Sequence, residues 1–143
     1  MAESDLNITP IEEVISIYRA GGMVIIADDL DRENEGDLAV ATEKISAEHI
    51  AFMMREARGL ICVSISSEVA QKLMLTPQTE NNNSIFHTPF TVSVDHKSIV
   101  PAGVTATSRH KTMAALLDEG SLAQEFVTPG HVFPLIANPA GVL

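Results

Sequence analysis

Between Asp28 and Asp37 the chain sets six carboxylates and one guanidinium in ten residues, Asp28-Asp29-Leu30-Asp31-Arg32-Glu33-Asn34-Glu35-Gly36-Asp37. Carboxylates this crowded repel one another unless a cation, an arginine or a proton comes between them. Asp31, Glu33, Glu35 and Asp37 offer the hard oxygen donors that magnesium or manganese prefers. A calcium loop fits less well. Asp31, Glu33, Glu35 and Gly36 imitate the opening of an EF-hand, but the closing position is Thr42, and Glu stands early where Asp or Asn is needed. The bland alternative is a solvated acidic loop that binds nothing.

Two other places carry reactive or charged groups. Ser108, read as the cap of a helix, is followed by Arg109, His110 and Lys111. A helix N-terminus with basic side chains suits an anion, though ordinary capping accounts for the same residues. Cys62 lies inside an apolar run, where a lone thiol reads as a small buried hydrophobe. Met53 and Met54 read as core filling.

The elements around these groups follow from periodicity. Thr9-Pro10-Ile11-Glu12 reads as a capping box with Pro at the first helical position, and Ile11, Val14, Ile15 and Tyr18 mark one helical face that Gly21-Gly22 ends. Met23–Ala27 is rich in β-branched residues and too short for a helix, so it predicts a buried strand with the acidic loop at its end. In open α/β sheets that is where ligands bind. Leu38–Ala41 predicts a second short strand. Ser46 caps a helix with Ile50, Met53, Met54 and Ala57 inward, and Gly59 ends it. Leu60–Ile65 predicts a strand, and Ser67–Leu75 a short helix broken by Pro77. A polar loop follows over Gln78–His87. Phe90, Val92 and Val94 alternate with polar neighbours and predict a half-buried strand. A helix is predicted from Arg109 to about Asp118, stopped by Gly120. Pro129-Gly130 reads as a turn, and Pro134 places its strand at an edge or at a strand start. Helices and strands alternate throughout. The class expected is therefore α/β, a single domain over 1–143 with one twisted sheet and helices on its faces.

Composition narrows the function. Apolar residues make up 45% of the 143 residues, enough for a folded core. The net charge of −10 argues against nucleic acid, which needs clustered Lys and Arg. A single Cys excludes an internal disulfide and fits a reducing compartment. The acidic start and the lack of a membrane-length apolar run predict a soluble, cytoplasmic protein.

Three stretches together resemble one family: Asp31-Arg32-Glu33-Asn34-Glu35-Gly36-Asp37, Arg58-Gly59-Leu60-Ile61-Cys62, and Pro129-Gly130-His131-Val132-Phe133-Pro134-Leu135. The chain resembles 3,4-dihydroxy-2-butanone 4-phosphate synthase of riboflavin biosynthesis from about Thr9 to Leu143. The resemblance implies a metal-dependent lyase that takes D-ribulose 5-phosphate to L-3,4-dihydroxy-2-butanone 4-phosphate and formate with Mg2+ or Mn2+. It implies a homodimer with a three-layer fold, a mixed twisted sheet flanked by helices, and active sites near the dimer interface. Arg32 and Glu33 would contact substrate, with Glu33 also a metal ligand. Asp37 would bind substrate hydroxyls, Cys62 and His131 would line the pocket, and Thr105 would lie close to the sugar. In that chemistry a proton leaves a carbon next to a carbonyl, a carboxylate serves as base or positions a hydroxyl, and an imidazole shuttles protons.

The sequence departs from the family pattern at Leu30, a position that is commonly acidic, in one loop and at the carboxy end. The small-residue loop, commonly Thr-Gly-Ile/Val-Ser-Ala followed by Asp-Arg, is here Ala102-Gly103-Val104-Thr105-Ala106, with Ser108 before Arg109. In the family, the strand begun at Gly141–Leu143 runs into an Arg-x-Gly-His-Thr-Glu-Ala motif that supplies a His ligand and grips the phosphate. That motif is not in the sequence, so the chain is expected to be incomplete at its carboxy end and to carry the acidic half of the site. Three readings follow: the family enzyme, a degenerate homologue that binds sugar phosphate or dimerises without turnover, and a small acidic binding module from another class.

Overall fold

The computed structural model describes residues 8–28, 31 and 33–140. The chain divides into two compact units, Met1–Ile45 and Ser46–Leu143, each taken by itself below.

The first unit opens with α1 (Ile11–Arg19). Its N-cap is Pro10, with no side-chain cap bond, so the capping box expected at Thr9–Glu12 does not form. Pro10 precedes the helix instead of opening it. The end matches expectation: Gly21 takes φ +88°, and the Gly21 and Gly22 N–H groups donate to the Tyr18 and Ile17 carbonyls at 3.0 and 2.9 Å. β1 (Val24–Ala27) and β2 (Gly36–Ala39) then pair as an antiparallel hairpin, from Val24 opposite Ala39 to Ala27 opposite Gly36. The expectation of a buried strand is corrected here, because Ile25 and Ile26 are 72% and 56% exposed. β-Branched residues fix the extended conformation, but a two-stranded ribbon lacks the surface to bury both of its own faces.

The second unit begins with α2 (Ala47–Glu56), capped as expected. Ser46 Oγ accepts the His49 N–H at 3.3 Å, and His49 Nδ1 accepts the Ser46 N–H at 3.2 Å. Ile50 and Met53 are its buried residues. Arg58, at φ +57°, takes the left-handed position after this helix that was assigned to Gly59. β3 (Cys62–Ile65) leads into the short α3 (Ser67–Lys72), capped by Ser66. β4 (Val94–His96), α4 (Ala106–Leu117) and β5 (Phe126–Ile136) follow. The sheet order is β3-β5-β4, with β3 parallel and β4 antiparallel to β5. This is the mixed sheet with helices expected of the class, although the described strands form two hydrogen-bonded sheets in place of one. Val63, Val94, Val132 and Pro134 are buried in the sheet, and α4 packs on β4 and β5 and against α2. Thr112 Oγ1 ties helix to sheet, accepting the His96 N–H at 3.1 Å while donating to Ser108 O at 3.2 Å. Among the described residues no helix is long and apolar enough to cross a membrane.

Three readings of this unit are corrected. α4 starts at Ala106 with Thr105 as its cap, not at Arg109 with Ser108. Arg109, His110 and Lys111 therefore sit beyond the free N-terminal N–H groups, and the expected anion site loses its basis. Pro134 lies in the central strand, not at an edge or a strand start. It is tolerated because β5 donates to β3 through its neighbour, Phe133 N–H to Ile61 O at 3.2 Å, while Pro134 turns toward an interrupted ladder. There its carbonyl accepts the Thr91 N–H at 2.9 Å and Thr91 Oγ1 at 3.2 Å. Finally, Pro129-Gly130 is not a turn but part of a bulge within β5. One step along β4, from Val94 to Asp95, spans β5 from Val132 to Val127. Gly130 permits the close passage, since a Cβ there would lie 2.0 Å from the Val94 carbonyl carbon.

Two capped helices make acid sensitivity testable. The Glu48 carboxyl is held below its usual 4.5 by a hydrogen bond with Ser46, then by its own backbone N–H. Glu68 is lowered from 4.5 by its own backbone N–H, then by Ser66. A lowered folded value means stability present above the unfolded value and lost as pH falls through the folded one. Replacing both with Gln is expected to flatten the acid limb of the stability curve below about pH 4.5, and Ser46→Ala to lower stability by about 1 kcal/mol, both read by denaturant unfolding.

Candidate active site

In the first unit the acidic loop is closed by β1 and β2 and shaped by Asp28, a residue that motif reading left without a role. Its backbone N–H donates to Glu35 O at 3.3 Å, continuing the hairpin one step beyond the strands. Its carboxylate then accepts the Glu33 N–H on Oδ2 at 3.0 Å and the Glu35 N–H on Oδ1 at 2.8 Å. Asn34 between them takes φ +52°, a conformation Asn tolerates better than most residues. The Glu33 and Glu35 N–H groups thus share one side chain as acceptor, while Asp31, Glu33, Glu35 and Asp37 are exposed. Asp37 stands on β2 opposite Ile26. Arg32, assigned to substrate binding, lies outside the described residues.

This donor set is all hard oxygen, which fits magnesium or manganese. Among the described residues no three His, Cys, Asp or Glu side chains form a group able to hold a metal alone. Magnesium commonly binds through one or two carboxylates, with water and substrate oxygens completing its shell. Glu33, whose backbone N–H is held by Asp28, fits that pattern.

In the second unit Cys62, Thr105 and His131 come from three elements. The register sets Cys62 opposite Phe133, so these two share one face of the β3–β5 pair, and His131 stands two residues before Phe133 along β5. The opposite face carries the buried Val63, Val132 and Pro134. Cys62 is half-buried, not enclosed as an inert core thiol would be. His131 sits in the β5 bulge, where ladder partners are lost and side chains of the neighbouring strand replace them. Ser93 Oγ accepts the Gly130 N–H at 3.1 Å, and Asp95 Oδ1 accepts the His131 N–H at 2.9 Å. Asp95 Oδ2 also meets His131 Nδ1 at 2.6 Å. Gly103 closes over this pair, and a Cβ on it would come 2.0 Å from Asp95 Oδ2 and 2.5 Å from His131 Nδ1.

Two residues on, Thr105 caps α4. Its hydroxyl accepts the Ser108 N–H at 3.1 Å and donates to Ser108 Oγ at 2.9 Å. Ser108, at the position where the family pattern has Asp, is buried and engaged in this cap. Asp95 was read only as the polar alternate of a strand. No local sequence signal marks it, because its burial and its partner both depend on strand pairing.

A family profile for 3,4-dihydroxy-2-butanone 4-phosphate synthase matches residues 12–143. The chain belongs to the 3,4-dihydroxy-2-butanone 4-phosphate synthase family. A 3,4-dihydroxy-2-butanone 4-phosphate synthase of Agrobacterium fabrum is 46% identical over 138 residues, covering 96% of this chain and 65% of that protein. The riboflavin biosynthesis protein RibBA of Bacillus subtilis is 46% identical over 134 residues, 94% of this chain and 33% of that protein. A crystal structure of 3,4-dihydroxy-2-butanone 4-phosphate synthase in complex with two magnesium ions superposes with a TM-score of 0.88 at 36% identity, covering 94% of this chain and 63% of that one. The α/β fold of the synthase family is therefore the fold of this chain. The chain spans 65% or less of the length of these relatives.

Asp28→Ala is expected to leave the β1–β2 pairing in place and to release the turn. Hydrogen exchange at the Glu33 and Glu35 amides should quicken roughly five- to tenfold, since each lost bond contributes about 1 kcal/mol. Unchanged exchange at both amides would remove Asp28 as the organiser of the loop.

Proposed function

We propose that this chain carries the acidic part of a 3,4-dihydroxy-2-butanone 4-phosphate synthase active site. The reaction converts D-ribulose 5-phosphate to L-3,4-dihydroxy-2-butanone 4-phosphate and formate in riboflavin biosynthesis. The observation that carries this reading is the family match over residues 12–143, which includes the acidic turn held by Asp28. The magnesium-bound relative supports a divalent cation, and we assign it, as Mg2+ or Mn2+, to Glu33 on the chemistry of its carboxylate. Bound there with substrate oxygens, such an ion supplies Lewis-acid stabilisation of negative charge developing beside the carbonyl.

The chain's own residues would do the rest. Glu33 would hold the ion and face the substrate, its backbone N–H taken by Asp28. Asp37 accepts hydrogen bonds from substrate hydroxyls, and Arg32 contacts the substrate. His131 takes and returns protons, a role that an imidazole with one donor and one acceptor nitrogen can fill. Cys62 lines the pocket, and Thr105 borders the sugar from the cap of α4. The partners are a small sugar phosphate and a second copy of the chain in a homodimer, in the cytoplasm.

A second reading, a homologue that binds without turnover, is favoured by Ala102 and Ser108. They remove a hydroxyl and a carboxylate from the family's loop, and Ser108 is spent on the helix cap. Formate release from ribulose 5-phosphate with magnesium separates the two. It should be measured for this chain and for one continued through the Arg-x-Gly-His-Thr-Glu-Ala motif. Formate from the continued form, lowered about 10²-fold or more by Glu33→Gln, is the expected result. Binding of ribulose 5-phosphate by calorimetry with no formate in either form would support the second reading. Glu33→Gln without effect on formate release or manganese affinity would overturn the assignment of the ion.

A further inference from the structure

We propose that Asp95 is a positioning residue for His131: its buried carboxylate holds the imidazole in the form that carries its proton on Nδ1 and leaves the Nε2 lone pair to handle substrate protons. The proposal rests on the reading of His131 as a proton-handling group.

Asp95 is 4% exposed, and both of its oxygens are spent on one residue. Oδ1 takes the His131 backbone N–H, which fixes the carboxylate plane relative to the strand. Oδ2 takes Nδ1. An ionised carboxylate only accepts, so Nδ1 must be the donor, and a neutral imidazole then has its acceptor at Nε2. The His131 side chain is 44% exposed, in contrast to its partner at 6%, so the ring is held at one edge and open elsewhere. Three separate features serve this contact. The β5 bulge presents His131 to β4. Asp95 occupies the β4 position at the register shift. Gly103 is the residue type that leaves room, since any Cβ would strike both partner atoms.

A purely structural role, plugging the bulge by accepting the His131 N–H, predicts something different. Asp95→Asn keeps an oxygen for that N–H but turns an amide donor toward Nδ1, so the ring proton should move to Nε2. Proton–nitrogen correlation NMR on the labelled ring reads this directly and needs no turnover. The proton is expected on Nδ1 in the parent chain and on Nε2 in Asp95→Asn. In the form that releases formate, Asp95→Asn should lower kcat about 10²- to 10⁴-fold, with KM within a few-fold. If the Asn variant fails to fold, Gly103→Ala tests the same contact, and it should abolish the Nδ1 preference of the ring. A parent ring protonated on Nε2 overturns the proposal whether or not the protein makes formate. So does an inverted ring with kcat intact. A continued form that makes no formate while the ring is protonated on Nδ1 would sink the synthase reading and leave the orientation of His131 standing.

Discussion

A backbone N–H that leaves a β-ladder must find another acceptor, and at both candidate sites of this chain a carboxylate is among the acceptors. In the hairpin loop, Asp28 takes the N–H groups of Glu33 and Glu35. In the bulge of β5, Asp95 takes the N–H of His131. Each acceptor lies at a strand end or a register shift, where regular pairing stops and the chain has to turn a functional side chain outward. Charge-assisted bonds of this kind are roughly twice as strong as neutral ones. They hold irregular backbone that would otherwise fray, and they do so next to the residues proposed for the site.

Much of this was legible in the sequence, and the limits of legibility were physical. Ser46 as a cap, the inward Ile50 and Met53, and the stop at Gly21 depend on a few neighbouring residues, so local pattern sufficed. Glu33, Asp37 and His131 stood out because their motifs are contiguous. Asp28 and Asp95 did not, since each acquires its role from a residue brought near by strand pairing, across five positions in one case and 36 in the other. The exposure of Ile25 and Ile26 was equally invisible, because a β-branched run specifies the strand and not what covers it.

Glycine and proline were the residues most easily misread. Pro129-Gly130 has the composition of a turn, yet Gly130 is needed for close passage of the Val94 backbone. Pro134 has the look of an edge residue, yet it occupies the central strand because its missing donor falls where the ladder is broken. Gly103 follows the same logic at the second site. In each case the residue is used for what it lacks, a Cβ or an N–H, and that use depends on a partner far away in the chain.

The acidic turn also bears on how an ion would be held. Crowded carboxylates suggest that a cation must be present for the loop to exist. The exposure of Asp31, Glu33, Glu35 and Asp37 argues otherwise. In water, unit charges about 4 Å apart interact by about 1 kcal/mol, and salt screens wider separations within about 8 Å. Repulsion of that size between one pair is smaller than the combined strength of the two charge-assisted bonds that Asp28 accepts, which therefore offset it at Glu33 and Glu35. The crowding of the turn therefore says little by itself about metal binding; the choice of Glu33 rests on family membership and donor chemistry. What the turn does contribute is preorganisation. A magnesium ion that keeps most of its water and meets a carboxylate on ordered backbone spends little of its binding free energy on arranging the loop.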